Sequence, residues 1–203
     1  MKKNKISKNW INKQKRDIYV RQSKIEGYRS RAVYKLQEIN EKFKILKKDI
    51  FVVDLGAAPG SWSQFISRKF KNSKIVSIDI KEMDSINNTL QIKGDFTDES
   101  QQKKIIDYFD AKIDVVISDM AVNTTGNKNV DSLVTGELCI EALNFACNTL
   151  KNQGCFVSKM FMGLSFNEIV VTAKKKFKEV HIFKPPSSRK DSKENFIICK
   201  YLR

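Results

Sequence analysis

Five charged residues stand where short apolar runs end. Asp54, Asp79 and Asp119 each close such a run, Asp95 follows one after a glycine, and Lys159 ends the run CFVSK. In an open α/β sheet the ends of parallel strands project to one edge, where ligands bind. A single aspartate there is ordinarily a turn-former or helix cap, but four of them with a lysine define a site. Asp79 lies 19 residues beyond Gly60 at the end of the second run. An acidic side chain at that place accepts hydrogen bonds from ribose hydroxyls. Asp95 in KGDF is positioned to meet the exocyclic amine of an adenine, and Asp119 in ISDMAVN falls between such a pocket and the open side of the sheet.

The stretch FVVDLGAAPGSWSQF (51–65) says more about the ligand. An apolar run enters a small-residue turn and leads into a helical pattern, the arrangement that builds a crevice at a strand's carboxyl end. A dinucleotide fingerprint needs G-x-G-x-x-G so that backbone amides close on a pyrophosphate. Here Gly56-Ala57-Ala58-Pro59-Gly60 lacks the middle glycine and carries a proline without an amide hydrogen. G-x-x-x-x-G-K-[ST] is also missing. A donor-poor loop floored by small residues suits a ligand without phosphates, and S-adenosyl-L-methionine is the candidate cofactor.

These residues must be carried by a particular order of elements. Residues 30–43 place Ala32, Leu36, Ile39 and Phe43 at helical spacing, with Ser30 as the expected N-cap. Apolar runs at 50–54, 75–79, 90–93, 113–119 and 154–159 read as strands, and 61–70, 98–109, 133–151 and 165–176 read as helices between them. That alternation gives a mostly parallel, doubly wound sheet with helices on both faces. At the end, 179–184 and 195–202 are strand-like and too close for a crossover helix, which predicts an antiparallel hairpin.

Bulk properties bound the rest. At 203 residues and 41% apolar the chain suits one well-buried domain, drawn here as 26–203 behind a basic arm at 1–25. The N-terminus lacks the apolar region of a secretory signal and no apolar run reaches a membrane span of ~18 residues, so the expected location is cytoplasmic, without membrane contact. Cys139, Cys147, Cys155 and Cys199 lack C-x-x-C spacing and have only His181 for company, which points to reduced, mostly buried thiols and no metal site. His181 is read as a packed or surface residue. The net charge is +15, and residues 1–48 hold sixteen Lys and Arg against four Asp and Glu. A basic end on a nearly neutral body is the footprint of a polyanion binder. Trp10, Tyr19, Tyr28 and Tyr34 lie among those charges, to stack on bases or to anchor the arm.

Several motifs together resemble the FtsJ (RrmJ) family of ribosomal RNA 2′-O-methyltransferases: GYRSRAVYKL (27–36), VVDLGAAPGSWSQ (52–64), SDMAVN (118–123), the strand carrying Lys159, and SSRKDSKENFII (187–198). The resemblance implies a Rossmann-like fold that moves a methyl group from S-adenosylmethionine to a ribose 2′-hydroxyl, on a uridine of 23S ribosomal RNA in the large subunit. By motif, the family's Lys-Asp-Lys-Glu set falls on Lys35, Asp119, Lys159 and Glu194. Its cofactor contacts look like Gly60, Trp62, Asp79, Asp95 and Asp119. Two positions depart from the pattern: Val122 replaces a proline, and Ser61 replaces the second glycine of APGGW.

The chemistry gives such residues independent sense. A ribose hydroxyl is a poor nucleophile, so its proton must leave as the methyl arrives, and a base is needed. For a lysine to serve near pH 7, its reference pKa of about 10.4 must fall by roughly three units, about 4 kcal/mol. Burial, a second ammonium and a cationic sulfonium favour that, while carboxylates oppose it. The expected roles are Lys159 as base, Lys35 as the group that positions the hydroxyl, and Asp119 and Glu194 as orienting carboxylates. The chain is expected to act as a monomer. Alternatives are a tRNA or mRNA-cap ribose methyltransferase, a non-catalytic RNA-binding ribosome assembly factor and a nicotinamide dehydrogenase, the last opposed by the missing G-x-G-x-x-G. Base N-methylation is disfavoured because [DN]-P-P-[YFW] is absent where SDMAVN stands.

Overall fold

The computed structural model describes residues 17–121, 128–163 and 165–203, with backbone alone for 128–132. Trp10, Val122 and residues 1–16 of the basic arm lie outside the described residues. A seven-stranded sheet forms the centre, in the order β3-β2-β1-β4-β5-β7-β6. The strands are β1 (Phe51–Leu55), β2 (Lys74–Asp79), β3 (Thr89–Lys93), β4 (Ile113–Ser118), β5 (Leu150–Phe161), β6 (Phe177–Phe183) and β7 (Glu194–Leu202). The first five pair in parallel, and only β7 runs the other way, antiparallel to both β5 and β6. This is the Rossmann-like α/β architecture expected from the sequence.

The central strands are apolar on both faces because both are covered. Val53, Val76 and Val116 face one core with α4 (Glu99–Phe109), α5 (Lys128–Thr149) and α6 (Phe166–Lys176). Their neighbours Val52, Ile75 and Val115 face the other, under α2 (Ala32–Phe43) and α3 (Ser61–Lys69). Helix α2 is docked by Val33, Leu36 and Ile39, all fully buried, each contributing about 1.5–3 kcal/mol. That packing fixes which face of α2 looks toward the sheet edge.

Four local expectations change. Residues Ile18–Ile25, inside the expected arm, form a helix, α1, whose N-cap Asp17 accepts a hydrogen bond from the Tyr19 amide. Arg31, not Ser30, occupies the N-cap of α2; the Ser30 hydroxyl instead accepts from the Ala32 amide and pairs with Ser61 Oγ at 2.6 Å. β5 begins at Leu150, where a helix was expected, because Leu150 pairs with Ile113 before the register shifts to put Cys155 opposite Val115. The terminal hairpin forms, but β7 slots between β5 and β6. Its run ENFIICKYL is mostly buried, whereas β6, FKEVHIF, is largely exposed and takes the edge. Tyr34 is buried against Tyr19, with ring centroids 5.3 Å apart, so these two rings anchor rather than project. His181 is half-exposed beside Phe43 and Glu179.

Candidate active site

Strand register brings three of the four candidate catalytic residues to one level. Ser118 pairs with Ser158, so Asp119, the first residue beyond β4, stands beside Lys159 of β5. Antiparallel β7 starts where β5 ends, with Glu194 opposite Phe161 and Phe196 opposite Lys159. Lys35 arrives from the first turn of α2, and its Nζ donates to Glu194 Oε2 at 3.0 Å. Asp119 Oδ1 lies 3.0 Å from Lys159 Nζ and 3.5 Å from Lys35 Nζ. Both approaches are ionic, since that oxygen has no hydrogen bond of acceptable angle. Lys159 Nζ spends its directed bond on the Asp119 backbone carbonyl, at 2.6 Å.

Charge within this cluster is set by competition. Burial alone would lower the Lys35 pKa, but Asp119 and Glu194 outweigh it and raise the value above the ordinary lysine figure. Burial would raise the Asp119 carboxyl, yet Lys159 and Lys35 hold it below the usual carboxylate range. Lys35 is therefore an ammonium and Asp119 a carboxylate at neutral pH.

A cavity of about 420 Å³ adjoins the cluster at the carboxyl ends of β1, β2 and β4. This is the topological switch point, where strand order reverses between β1 and β4. Asp79, Asp95, Asp119 and Lys159 all line it, with Gly56 and Ala58 as floor. The Ala58 amide donates to Asp79 Oδ2 at 2.9 Å and the Lys81 amide to Oδ1 at 2.8 Å, so this carboxylate is fixed from two sides. Asp95 is held by the amide and hydroxyl of Thr97. Gly56 has φ +69°, and a Cβ there would sit 2.0 Å from Met120 Cγ. Three carboxylates around apolar walls fit a cationic nucleoside and disfavour a phosphorylated one.

Gly60 and Trp62 are placed differently from those aspartates. Gly60 is the left-handed N-cap of α3, and a Cβ there would lie 2.8 Å from the Arg29 guanidinium. Trp62 is buried against Phe196, donates its indole N–H to the Ala32 carbonyl, and lines a small recess with Asp54 and Asp119. Asp54 is itself buried and accepts a hydrogen bond from Ser63 Oγ at 2.7 Å. Burial pushes its carboxyl up to about 7, with Asp119 and Asp79 adding and Ser63 opposing.

Sequence patterns did not single out the residues that brace this site. Arg29 donates to the carbonyls of Pro59, Asp84 and Ser85, tying the start of α2 to the cavity floor. Arg31 and Glu38 share a face of α2 with Lys35, and both seize Ser187: Arg31 donates to its carbonyl, while its amide and hydroxyl donate to Glu38. The i, i+4, i+7 spacing of three charged residues on an otherwise docked helix was the available signal.

The fold and site define a Rossmann-like methyltransferase. The FtsJ-like methyltransferase family model matches residues 28–202, and the chain belongs to that family. It is 66% identical over its full length, and the relative's, to ribosomal RNA large subunit methyltransferase E of Pelagibacter ubique (strain HTCC1062). The protein of the same name from Rickettsia akari (strain Hartford) is 45% identical, over 95% of this chain and 88% of that one. A crystal structure of a ribosomal RNA methyltransferase from Plasmodium falciparum superposes with TM-score 0.78 at 36% identity, covering 86% of this chain and 98% of that one.

Proposed function

We propose that this methyltransferase modifies the ribose 2′-hydroxyl of a uridine in 23S ribosomal RNA of the large subunit, with S-adenosylmethionine as methyl donor. The relatives' names supply the ribosomal RNA, and the motif resemblance supplies the uridine and the sugar oxygen. One observation carries the chemistry: buried Lys159 and partly buried Lys35 flank Asp119 beside a carboxylate-lined cavity. Asp79 would hold the donor's ribose hydroxyls and Asp95 its adenine amine, with Asp119 facing the cationic end. When bound there, the donor supplies an electrophilic methyl group on positively charged sulfur.

The protein's own residues then manage the acceptor. Lys35, kept charged by Asp119 and Glu194, orients the hydroxyl oxygen. Lys159, its Nζ held 2.6 Å from the Asp119 carbonyl, is the base that would take the hydroxyl proton as that oxygen receives the methyl group. Asp119, next to it, then faces the new ammonium. General base assistance of this kind contributes about 10²–10⁴ in rate.

Tritiated methyl transfer to large ribosomal subunits, deproteinised ribosomal RNA and tRNA, followed by nuclease mapping, tests the assignment. Label on a uridine ribose of the large-subunit RNA is expected. Label on a base, on tRNA alone, or nowhere overturns it.

A further inference from the structure

A second cavity of about 390 Å³ lies beside the same cluster, lined by Ser30, Arg31, Lys35, Arg189, Ser192 and Glu194. It has neither Asp119 nor Lys159 in its wall, and the first cavity has neither Lys35 nor Glu194. The Lys35 ammonium, paired to Asp119 on one side and Glu194 on the other, is thus the partition between them.

This second wall is built for an oxyanion. Among the described lining residues Arg31, Lys35 and Arg189 outnumber the acidic Asp191 and Glu194, hydroxyls come from Ser30 and Ser192, and no side chain is aromatic. The Asp17 carboxylate gathers both guanidinium groups, pairing closely with Arg31 and lying 3.6 Å from Arg189 Nε. Arg31 is further committed to the Ser187 carbonyl, while its Nε is buried without a hydrogen-bond partner. Arg189 has 29% of its side chain exposed and, among the described residues, only that long ion pair to Asp17. A planar guanidinium held at a pocket mouth, with donors left over, matches the paired oxygens of a phosphate.

We propose that this cavity receives the phosphodiester on the 3′ side of the methylated ribose, with Arg189 as its principal ligand. The inference rests on the acceptor being a ribose 2′-hydroxyl. In that sugar the 3′-phosphate hangs from the carbon next to the one bearing the reacting oxygen. A 2′-oxygen held at Lys35 and Lys159, with the donor filling the first cavity, leaves the opening beyond Lys35 for that phosphate. The site therefore selects a ribose embedded in a strand over a free nucleoside, before any base is read.

The test compares the full-length chain with Arg189→Ala and Arg189→Lys on a large-subunit ribosomal RNA transcript lacking the modification. Arg31 is left intact because it also holds Ser187. Arg189→Ala is expected to raise the KM for RNA roughly tenfold, with kcat at saturating RNA and the affinity for S-adenosylmethionine unchanged. Its plot of log affinity against log salt should be shallower by about one unit. Arg189→Lys should keep the slope but recover only part of the affinity, because a point charge replaces a fork. An Arg189→Ala protein with wild-type KM and salt slope, whose parent methylates ribose, overturns the phosphate site alone. A parent whose product is not a ribose ether removes the acceptor assignment, and this inference with it.

Discussion

Lys159 Nζ lies 2.6 Å from the backbone carbonyl oxygen of Asp119 and 3.0 Å from its carboxylate. One residue thus supplies a neutral acceptor that fixes the direction of the lysine and a charge that faces the proton it would gain. A base aimed by a carbonyl keeps its position in either protonation state, which a pure ion pair would not ensure.

Lys159→Ala should lower methyl transfer by about 10²–10⁴ while S-adenosylmethionine still binds. Single-turnover rates at saturating RNA, with donor affinity from calorimetry, check this. Lys159→Arg should not rescue, since guanidinium stays protonated at accessible pH.

The Lys35–Glu194 bond is partly buried and charge-assisted. Glu194→Ala is expected to cost about 1.5–3 kcal/mol of stability, read from urea unfolding. Adding Lys35→Ala should cost less than the sum of the single changes, because the second substitution removes a charge that the first left underpaired.

Asp54 predicts a pH signature. Its folded-state pKa, about 7 against an ordinary 3.8, means that folding favours the protonated carboxyl. Stability from this group is full below the unfolded value and is lost as pH rises through about 7. Asp54→Asn cannot ionise, so its stability relative to the parent should improve between about pH 5 and pH 8. Unfolding curves at the two pH values read the difference.

Asp79→Ala should weaken S-adenosylmethionine binding roughly tenfold or more. It removes the proposed acceptor for the donor's ribose and frees the Ala58 amide it now holds. Calorimetric titration of the donor is the measurement, with a cooperative unfolding transition as the control that the variant is folded.

The strands were legible because β1, β2 and β4 are continuous apolar runs, a pattern that a doubly wound sheet imposes on its centre. The aspartates at their ends followed directly. Lys35 and Glu194 were not legible from spacing, since 159 residues separate them and their contact depends on α2 docking beside β7; only motif resemblance paired them. Helix α1 was hidden by basic composition, although Asp17 ahead of Ile18 was a fair N-cap signal. The resemblance implied Trp62 as a cofactor contact; the structure puts its indole N–H on the Ala32 carbonyl of α2 and its ring in a recess with Asp119. The insertion of β7 inside the sheet was foreshadowed by its greater apolarity than β6, a comparison of two neighbouring strands that periodicity within each does not make.

Arg29 grips Pro59, Asp84 and Ser85, and Ser30 meets Ser61, so the helix that presents Lys35 is bolted to the floor of the neighbouring cavity. The proposed donor and acceptor sites are thereby mounted on a common chassis. Thermal motion that tilts one would carry the other along, which would keep a sulfur, a methyl group and an oxygen bound there in line.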